Sequence, residues 1–168
     1  MFTGALAVSH YGTPRTTTDI DVMVKIAPEN ACASLVPALK KAGLQANEKQ
    51  IEAALKSDYR IATFKDNKTP LTLDMIFLDD KFEKKAGTIL GLPTFFQTSE
   101  DLILTKLRMI KATIPREKAL KDKDDIRAIL TFTALNLDDV KRQAKKNDTS
   151  SILEALLADK TRKGRKRS

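Results

Sequence analysis

The sequence is poor in cysteine and has no long apolar run, and both absences exclude classes of protein. Its 168 residues include a single cysteine, so no disulfide can form within the chain. This is typical of proteins of the reducing cytoplasm. No apolar run approaches the roughly 20 residues that span a bilayer, and the apolar start of the sequence lacks the basic residues of a signal peptide. We therefore expect a cytoplasmic protein that does not engage a membrane.

Negative charge is scarce at the end of the chain, where the positive charge is concentrated. The formal net charge is +8. Residues 160–168 carry six positive charges and no negative one, which leaves +2 for residues 1–159. We expect 160–168 to form a basic disordered tail, whose functional interpretation is a non-specific anchor for nucleic-acid phosphates.

The pattern of the remaining sequence changes character near residue 97. Before it, β-branched and apolar runs that are typical of strands alternate with short helical patterns. After it, helical periodicity dominates. This predicts an α/β core over residues 1–97, with a mixed β-sheet and flanking helices, followed by a helical C-terminal part over residues 98–159.

Two aspartates that lie two residues apart in a β-branched run are the most informative feature. Side chains alternate along a strand, so Asp19 and Asp21 share one face while Ile20 and Val22 enter the core. Two neighbouring ionised carboxylates repel each other. A divalent cation removes this conflict, and Mg²⁺ is usually held by one or two carboxylates together with phosphates. The pair therefore predicts a metal site used for phosphate chemistry.

A third carboxylate lies inside the apolar strand predicted at residues 71–78. Asp74 is flanked by Leu73 and Met75, so it needs a partner if it is buried. One interpretation makes Asp74 a third metal ligand or a general base. The other makes it part of a salt bridge or a residue at a sheet edge, and the residues alone leave both open.

The order of these motifs resembles the nucleotidyltransferase superfamily that includes DNA polymerase β. The resemblance covers about residues 3–130. It rests on the turn Gly4-Ala5-Leu6-Ala7-Val8, on Gly12-x-x-Arg15-x-Thr17-x-Asp19-Ile20-Asp21 and on the later Asp74. Downstream, Ser99-Glu100-Asp101-Leu102 with Lys106, and Lys121-Asp122-x-x-Asp125, are similar to a small bacterial and archaeal branch that includes the abortive-infection (AbiEii-type) toxins.

The resemblance implies a nucleotidyltransferase fold and an enzyme that moves a nucleoside monophosphate from an NTP to a hydroxyl. Asp19, Asp21 and Asp74 would be its catalytic residues and would hold two Mg²⁺ ions. The implied nucleotide-binding residues are Gly4, Ala5, Arg15, Thr17, Lys106, Lys121, Asp122 and Asp125.

Several of these residues also have a purely structural interpretation. Arg15 would equally form an ion pair within its loop, and Lys106 would equally extend to solvent along its helix. A solvated charged face would account for Lys121, Asp122 and Asp125. Ala5 departs from the family pattern, in which many relatives have Gly or Ser, and the departure removes one hydroxyl contact to phosphate.

We favour RNA as the acceptor of the implied reaction, and two alternatives stay open at this point. A toxin-like enzyme would act on RNA and would have an antitoxin partner. An antibiotic nucleotidyltransferase would act on an aminoglycoside or a lincosamide. A non-catalytic module on the same scaffold would bind a nucleotide or nucleic acid and transfer nothing. Relatives have a helix and a strand before the glycine turn, where this sequence has Met1-Phe2-Thr3, so we also expect an open sheet edge and a homodimer.

Overall fold

The computed structural model describes residues 1–79, 82–112 and 116–164, with the backbone alone for residues 116–118 and 160–164. The chain divides into two units. The first contains Met1–Leu6 and Arg15–Gln97, and the second contains Ala7–Pro14 and the chain from Thr98 onward. The mixed α/β class is confirmed. Residues 7–14, which the sequence places in the core, belong to the second unit.

A four-stranded mixed sheet forms the centre of the first unit. Its strands are β1 (Asp19–Val24), β2 (Leu44–Gln45), β3 (Ile61–Asp66) and β4 (Thr72–Phe77), in the order β1-β4-β3-β2. β1 runs parallel to β4, while β3 pairs antiparallel with both β4 and β2. The Asp66 carboxylate accepts a hydrogen bond of 2.9 Å from the Thr69 backbone N–H in the turn between β3 and β4.

Two helices supply the apolar partner of this sheet. Helix α2 (Pro28–Lys41) begins at a proline, which is suited to the first helical turn. Helix α3 (Glu48–Lys56) begins with a capping box between Asn47 and Gln50. They contribute to one core cluster with alternate residues of β3 and β4, namely Ala31, Leu39, Ile51, Ala54, Ala62, Phe64, Met75 and Phe77.

The first three residues pair with β1 on the side away from β4. The Thr3 N–H donates to the Asp21 carbonyl at 3.0 Å, and the Met23 N–H donates to the Met1 carbonyl at 2.8 Å. Phe2 pairs on its other side with the hairpin of β5 (Lys84–Ile89) and β6 (Leu92–Gln97). The edge of β1, which we expected to be open, is therefore paired with residues 1–3. An open edge was the reason to expect a homodimer, so the homodimer remains a prediction that the sheet does not support.

Helices dominate the second unit. Helix α1 (Gly4–Tyr11) starts in the first unit and continues into the second, which also holds α4 (Ser99–Ala112), α5 (Arg116–Phe132), α6 (Leu137–Lys146) and α7 (Ser150–Gly164). Its fully buried side chains include Leu102, Ile103, Leu107, Ile126, Ile129, Val140 and Leu153. No helix in the described part of the chain is long and apolar enough to cross a membrane.

The predicted basic tail begins inside the last helix. We expected disorder from residue 160, whereas α7 continues to Gly164. Lysine and arginine are good helix formers, and their charge is favourable near a helix C-terminus. Residues 165–168 lie outside the described residues.

The fold predicts unequal costs for two truncations on the same strand. Phe64 is completely buried, whereas Ile61 is 46% exposed. We expect Phe64→Ala to lower the free energy of unfolding by about 3–5 kcal/mol, because it removes a large buried side chain and leaves a cavity. Ile61→Ala should cost less than about 1 kcal/mol. Urea denaturation measures both, and equal losses would contradict the assignment of the buried face.

Candidate active site

The face of the sheet opposite the core carries the predicted carboxylates in register. Asp21 on β1 lies directly opposite Asp74 on β4. Thr63 on β3 lies opposite Asp74 in turn. Residues opposite one another on neighbouring strands share a face, so these three side chains form one row across the sheet. The pairing of β1 with β4 thus brings together two of the three predicted carboxylates from distant parts of the sequence.

A second row on the same face contains the third carboxylate. Asp19 lies opposite Thr72, and Thr72 lies opposite Lys65 on β3. The Thr72 hydroxyl donates a hydrogen bond of 3.0 Å to Asp19 Oδ1, and the Thr18 hydroxyl donates one of 3.3 Å to the same oxygen. Asp19 is exposed, so this carboxylate is held by hydroxyl donors and remains accessible to solvent.

Asp74 also has a hydroxyl partner. The Thr63 hydroxyl donates to Asp74 Oδ1 at 2.6 Å. This contact occupies one carboxylate oxygen and directs the other oxygen elsewhere. The burial of Asp74 is intermediate, so neither the salt bridge nor the fully buried position considered from the sequence describes it.

Gly4 lies against the carboxylate of Asp21. A Cβ atom at Gly4 would be only 1.9 Å from Asp21 Oδ2, and Gly4 has a φ of +56°. Both the close approach and the left-handed backbone require glycine at this position. Because α1 begins at Gly4, the Asp21 carboxylate lies beside a helix N-terminus, whose partial positive charge favours an anion. Ala5 follows in the helix and is buried.

The loop before β1 is organised around Thr17. Its hydroxyl donates to the Asp19 carbonyl at 3.0 Å and accepts from the Asp19 N–H at 3.1 Å. Thr17 thereby fixes the backbone where β1 begins and orients Asp19. Arg15 is exposed in the same loop. Nucleotide binding by Thr17 and Arg15 remains a prediction.

The other predicted nucleotide-binding residues lie in the second unit and contact one another. Lys106 Nζ on α4 is 2.8 Å from Asp122 Oδ1 and 2.7 Å from Asp125 Oδ2, both on α5. The three side chains are each less than a tenth exposed. The solvated charged face considered from the sequence is therefore wrong for both aspartates, which are buried, although Lys121 is exposed.

The buried cluster of Lys106, Asp122 and Asp125 has a specific structural consequence. One cation between two carboxylates links α4 to α5, and Asp122 Oδ2 is buried with no hydrogen-bond partner among the described residues. Removing one member of a buried ion pair is costly because the remaining charge is uncompensated. The two carboxylates therefore hold the Lys106 ammonium group in place. Phosphate binding by Lys106 remains a prediction.

Two residues of the carboxylate face are not among the site residues predicted from the sequence. Thr63 binds Asp74, and Lys65 occupies the row of Asp19 and Thr72. Their signal is the alternation along β3, where Ile61, Thr63 and Lys65 are exposed and Ala62 and Phe64 are buried. That alternation marks the face, but it does not indicate which strand lies beside it.

The donor set of the face suits a hard cation, although the side chains are not gathered around one. Carboxylate oxygens are typical ligands of Mg²⁺. Among the residues that the structure describes, however, no group of three His, Cys, Asp or Glu side chains is placed to hold a metal ion. In this arrangement Asp19 accepts hydrogen bonds from Thr18 and Thr72, and Asp74 accepts one from Thr63.

Comparison with solved structures defines the class of fold. The solution structure of the antibiotic-resistance factor ANT(2'')-Ia matches with a TM-score of 0.58 and 16% identity, over 98% of this chain and 86% of that chain. The crystal structure of an antigenic nucleotidyltransferase-like protein from Paracoccidioides brasiliensis matches with a TM-score of 0.57 and 14% identity, over 94% and 83%. No family model matches the sequence, and no curated protein matches it significantly. This chain therefore has a nucleotidyltransferase-like fold.

The contact between Gly4 and Asp21 predicts a difference between two glycines. Gly4→Ala and Gly91→Ala both place a side chain at positive φ, but a Cβ at Gly91 meets nothing within 4 Å. We expect Gly91→Ala to cost about 1–2 kcal/mol from the backbone alone. Gly4→Ala should cost about 1–3 kcal/mol more, because the Asp21 carboxylate must move. Thermal unfolding measures both, and the double variant Gly4→Ala/Asp21→Gly should regain the additional loss.

The buried cluster predicts a large effect of one lysine and a small effect of its neighbour in sequence. Lys106→Met leaves two buried carboxylates without their cation, so we expect a loss of about 3–5 kcal/mol in the free energy of unfolding. Lys121→Met, at an exposed position next to Asp122, should change it by less than about 0.5 kcal/mol. Urea denaturation tests both, and a stable Lys106→Met variant would contradict the pairing.

Proposed function

We propose that this chain is a Mg²⁺-dependent nucleotidyltransferase that moves a nucleoside monophosphate from an NTP to a hydroxyl acceptor. The observation that carries the proposal is the register of β1 against β4, which sets Asp21 opposite Asp74 with Asp19 two residues away on the same face. The glycine at the start of α1 beside Asp21 adds to it, because relatives of the superfamily are expected to have a glycine turn there. The nucleotidyltransferase-like fold supports the same conclusion.

Two Mg²⁺ ions held by Asp19, Asp21 and Asp74 would neutralise charge on the triphosphate and on the attacking and leaving oxygens. Asp21 and Asp74 face each other across neighbouring strands, so they are suited to share a cation. Asp19 Oδ1 and Asp74 Oδ1 accept hydrogen bonds from threonines.

Asp74 and the start of α1 would supply the general base and the phosphate contacts of the reaction. The hydrogen bond from Thr63 holds Asp74 Oδ1, so Oδ2 is the oxygen that we assign to take the proton of the acceptor hydroxyl. The acceptor oxygen then bonds to the α-phosphorus, the bond from that phosphorus to the bridging oxygen breaks, and pyrophosphate leaves with the electron pair. The N–H groups at the start of α1 offer hydrogen bonds to phosphate oxygens.

Two acceptors remain candidates within this proposal. The antibiotic-resistance factor among the structural neighbours favours a small-molecule acceptor. The toxin-like alternative has RNA as its acceptor and an antitoxin as its partner, and it rests on the similarity of the downstream motifs to the abortive-infection branch. A third alternative is a non-catalytic binding module, which Ala5 at the glycine turn favours because it offers no hydroxyl to a phosphate.

Label transfer tests the catalytic assignment. The protein is incubated with each α-labelled NTP, Mg²⁺ and either total RNA or an aminoglycoside, and labelled product is measured. We expect Asp21→Asn and Asp74→Asn each to lower the rate by at least about 10²-fold, because they remove a metal ligand or the base. EDTA should abolish transfer and excess Mg²⁺ should restore it.

Asp58→Asn is the matched control for these variants. Asp58 is an exposed carboxylate of the first unit outside the carboxylate face. We therefore expect Asp58→Asn to leave the rate of label transfer unchanged. Transfer that persists in Asp21→Asn/Asp74→Asn would overturn the assignment. Isothermal titration with Mg-ATP separates the third alternative: nucleotide binding without transfer to any acceptor would identify a binding module.

A further inference from the structure

A cavity of about 530 Å³ lies at the end of β1 in the first unit. Its lining residues have no role in the proposed reaction as described above. Its lining includes Met23, Val24, Lys25, Phe82, Lys84 and Phe95. We term it the lysine pocket, after Lys25 and Lys84. It is contributed by the end of β1, the start of β5 and the middle of β6.

The lysine pocket lies beside the carboxylate face. Met23 follows Asp21 by two residues on β1, and alternation places both side chains on the same face. A strand advances about 3.3 Å per residue, so Met23 is about 7 Å along β1 from Asp21. This is the size of a sugar ring or of one phosphate group with its ester oxygen. A molecule seated in the pocket can therefore present a hydroxyl to a phosphorus held at Asp21 and Asp74.

The charge of the lysine pocket is the reverse of that of the carboxylate face. Lys25 and Lys84 are both exposed, and none of its described lining residues is acidic. Lys84 Nζ lies 3.9 Å from the centroid of the Phe95 ring, and such a cation–π contact restricts where the ammonium group lies. Positive charge at this position attracts an anion and repels a cationic acceptor.

The remaining side chains of the pocket lining are apolar. They belong to Met1, Met23, Val24, Phe82 and Phe95, of which Phe95 is 43% exposed. Apolar and aromatic side chains beside lysines are the combination with which proteins hold single-stranded nucleic acid, since bases pack on the former and phosphates pair with the latter. A compact inorganic anion would leave this apolar surface without a partner.

We infer that the lysine pocket holds the acceptor of the transferase, and that the acceptor is the hydroxyl-bearing end of an RNA strand. This inference rests on the proposed function for the transfer step, but the binding itself does not depend on it. Lys25 and Lys84 pair with phosphates near the end of the strand, and the apolar wall packs against the terminal nucleoside. The terminal hydroxyl gives its proton to Asp74, its oxygen bonds to the α-phosphorus, and pyrophosphate leaves, so the strand grows by one nucleotide.

The test measures RNA binding in the absence of NTP and Mg²⁺. A labelled five-nucleotide RNA with a free 3′ hydroxyl is titrated with the full chain, and fluorescence anisotropy gives its affinity at several salt concentrations. We expect Lys25→Gln to weaken binding about fivefold and to reduce the slope of log affinity against log salt by about 0.7, as for the loss of one phosphate contact on a single strand. Lys84→Gln should act similarly.

Lys49→Gln is the matched control, since it removes one exposed positive charge on α3, away from the pocket lining. It should change neither the affinity nor the slope, and it accounts for RNA bound elsewhere on the chain. Thermal unfolding checks the fold of each variant. Among the described residues the cation–π contact with Phe95 belongs to Lys84, so Lys25→Gln keeps the test valid even if Lys84→Gln is destabilised.

Three results would overturn the inference. The first is unchanged RNA affinity in both Lys25→Gln and the charge-reversed Lys25→Glu. The second is displacement of the RNA by AMP at equal concentration, which would assign the pocket to a mononucleotide. The third is an aminoglycoside that displaces the RNA and binds more tightly to Lys25→Glu than to the unsubstituted chain, which would assign the pocket to a cationic acceptor. Because no NTP is present, failure of RNA binding is distinct from failure of nucleotidyl transfer.

Discussion

The parallel pairing of β1 with β4 is the interaction on which the rest of the site depends. Its register sets Asp21 against Asp74 and Asp19 against Thr72. The register is held from the opposite face, where Met75 and Phe77 are buried against α2 and α3 in the core cluster. A slip of one residue would turn these apolar side chains to solvent and Asp74 into the core. Burial of the apolar face therefore fixes the positions of the carboxylates on the other.

A concentration of carboxylates on one face requires hydrogen-bond donors, and neighbouring strands, the loop before β1 and the start of α1 provide them. Thr18 and Thr72 donate to Asp19, Thr63 donates to Asp74, and the start of α1 lies beside Asp21. Hydrogen bonds to a charged acceptor are stronger than those between neutral groups. A cation bound at this face would compete with the same hydroxyls for the carboxylate oxygens.

The second unit uses charge differently, because it encloses it. Lys106 lies between Asp122 and Asp125 with all three side chains buried, whereas the three carboxylates on β1 and β4 are partly or fully open to solvent. An enclosed lysine fixes the position of α4 on α5, while accessible carboxylates are available to a ligand. The helical spacing in the sequence shows that Asp122 and Asp125 share a helix face. It does not show which residue they contact, because that depends on how the helices pack.

The sequence by itself determined the local elements and the faces of their side chains. Alternation around Asp19 and Asp74 defines β1 and β4, and the helical periodicity after residue 97 indicates the helices of the second unit. Tertiary structure alone decided which strands are neighbours. Asp19 and Thr72 form a hydrogen bond although they are 53 residues apart in the sequence. Strand β2 has only two residues, too few for a periodic pattern to predict it. Residues 1–3 pair with β1 and β6 only once the sheet has formed. The physical reason is that periodicity is set by each residue's immediate neighbours, whereas register and the partners of Lys106 are set by how apolar faces from distant segments pack together.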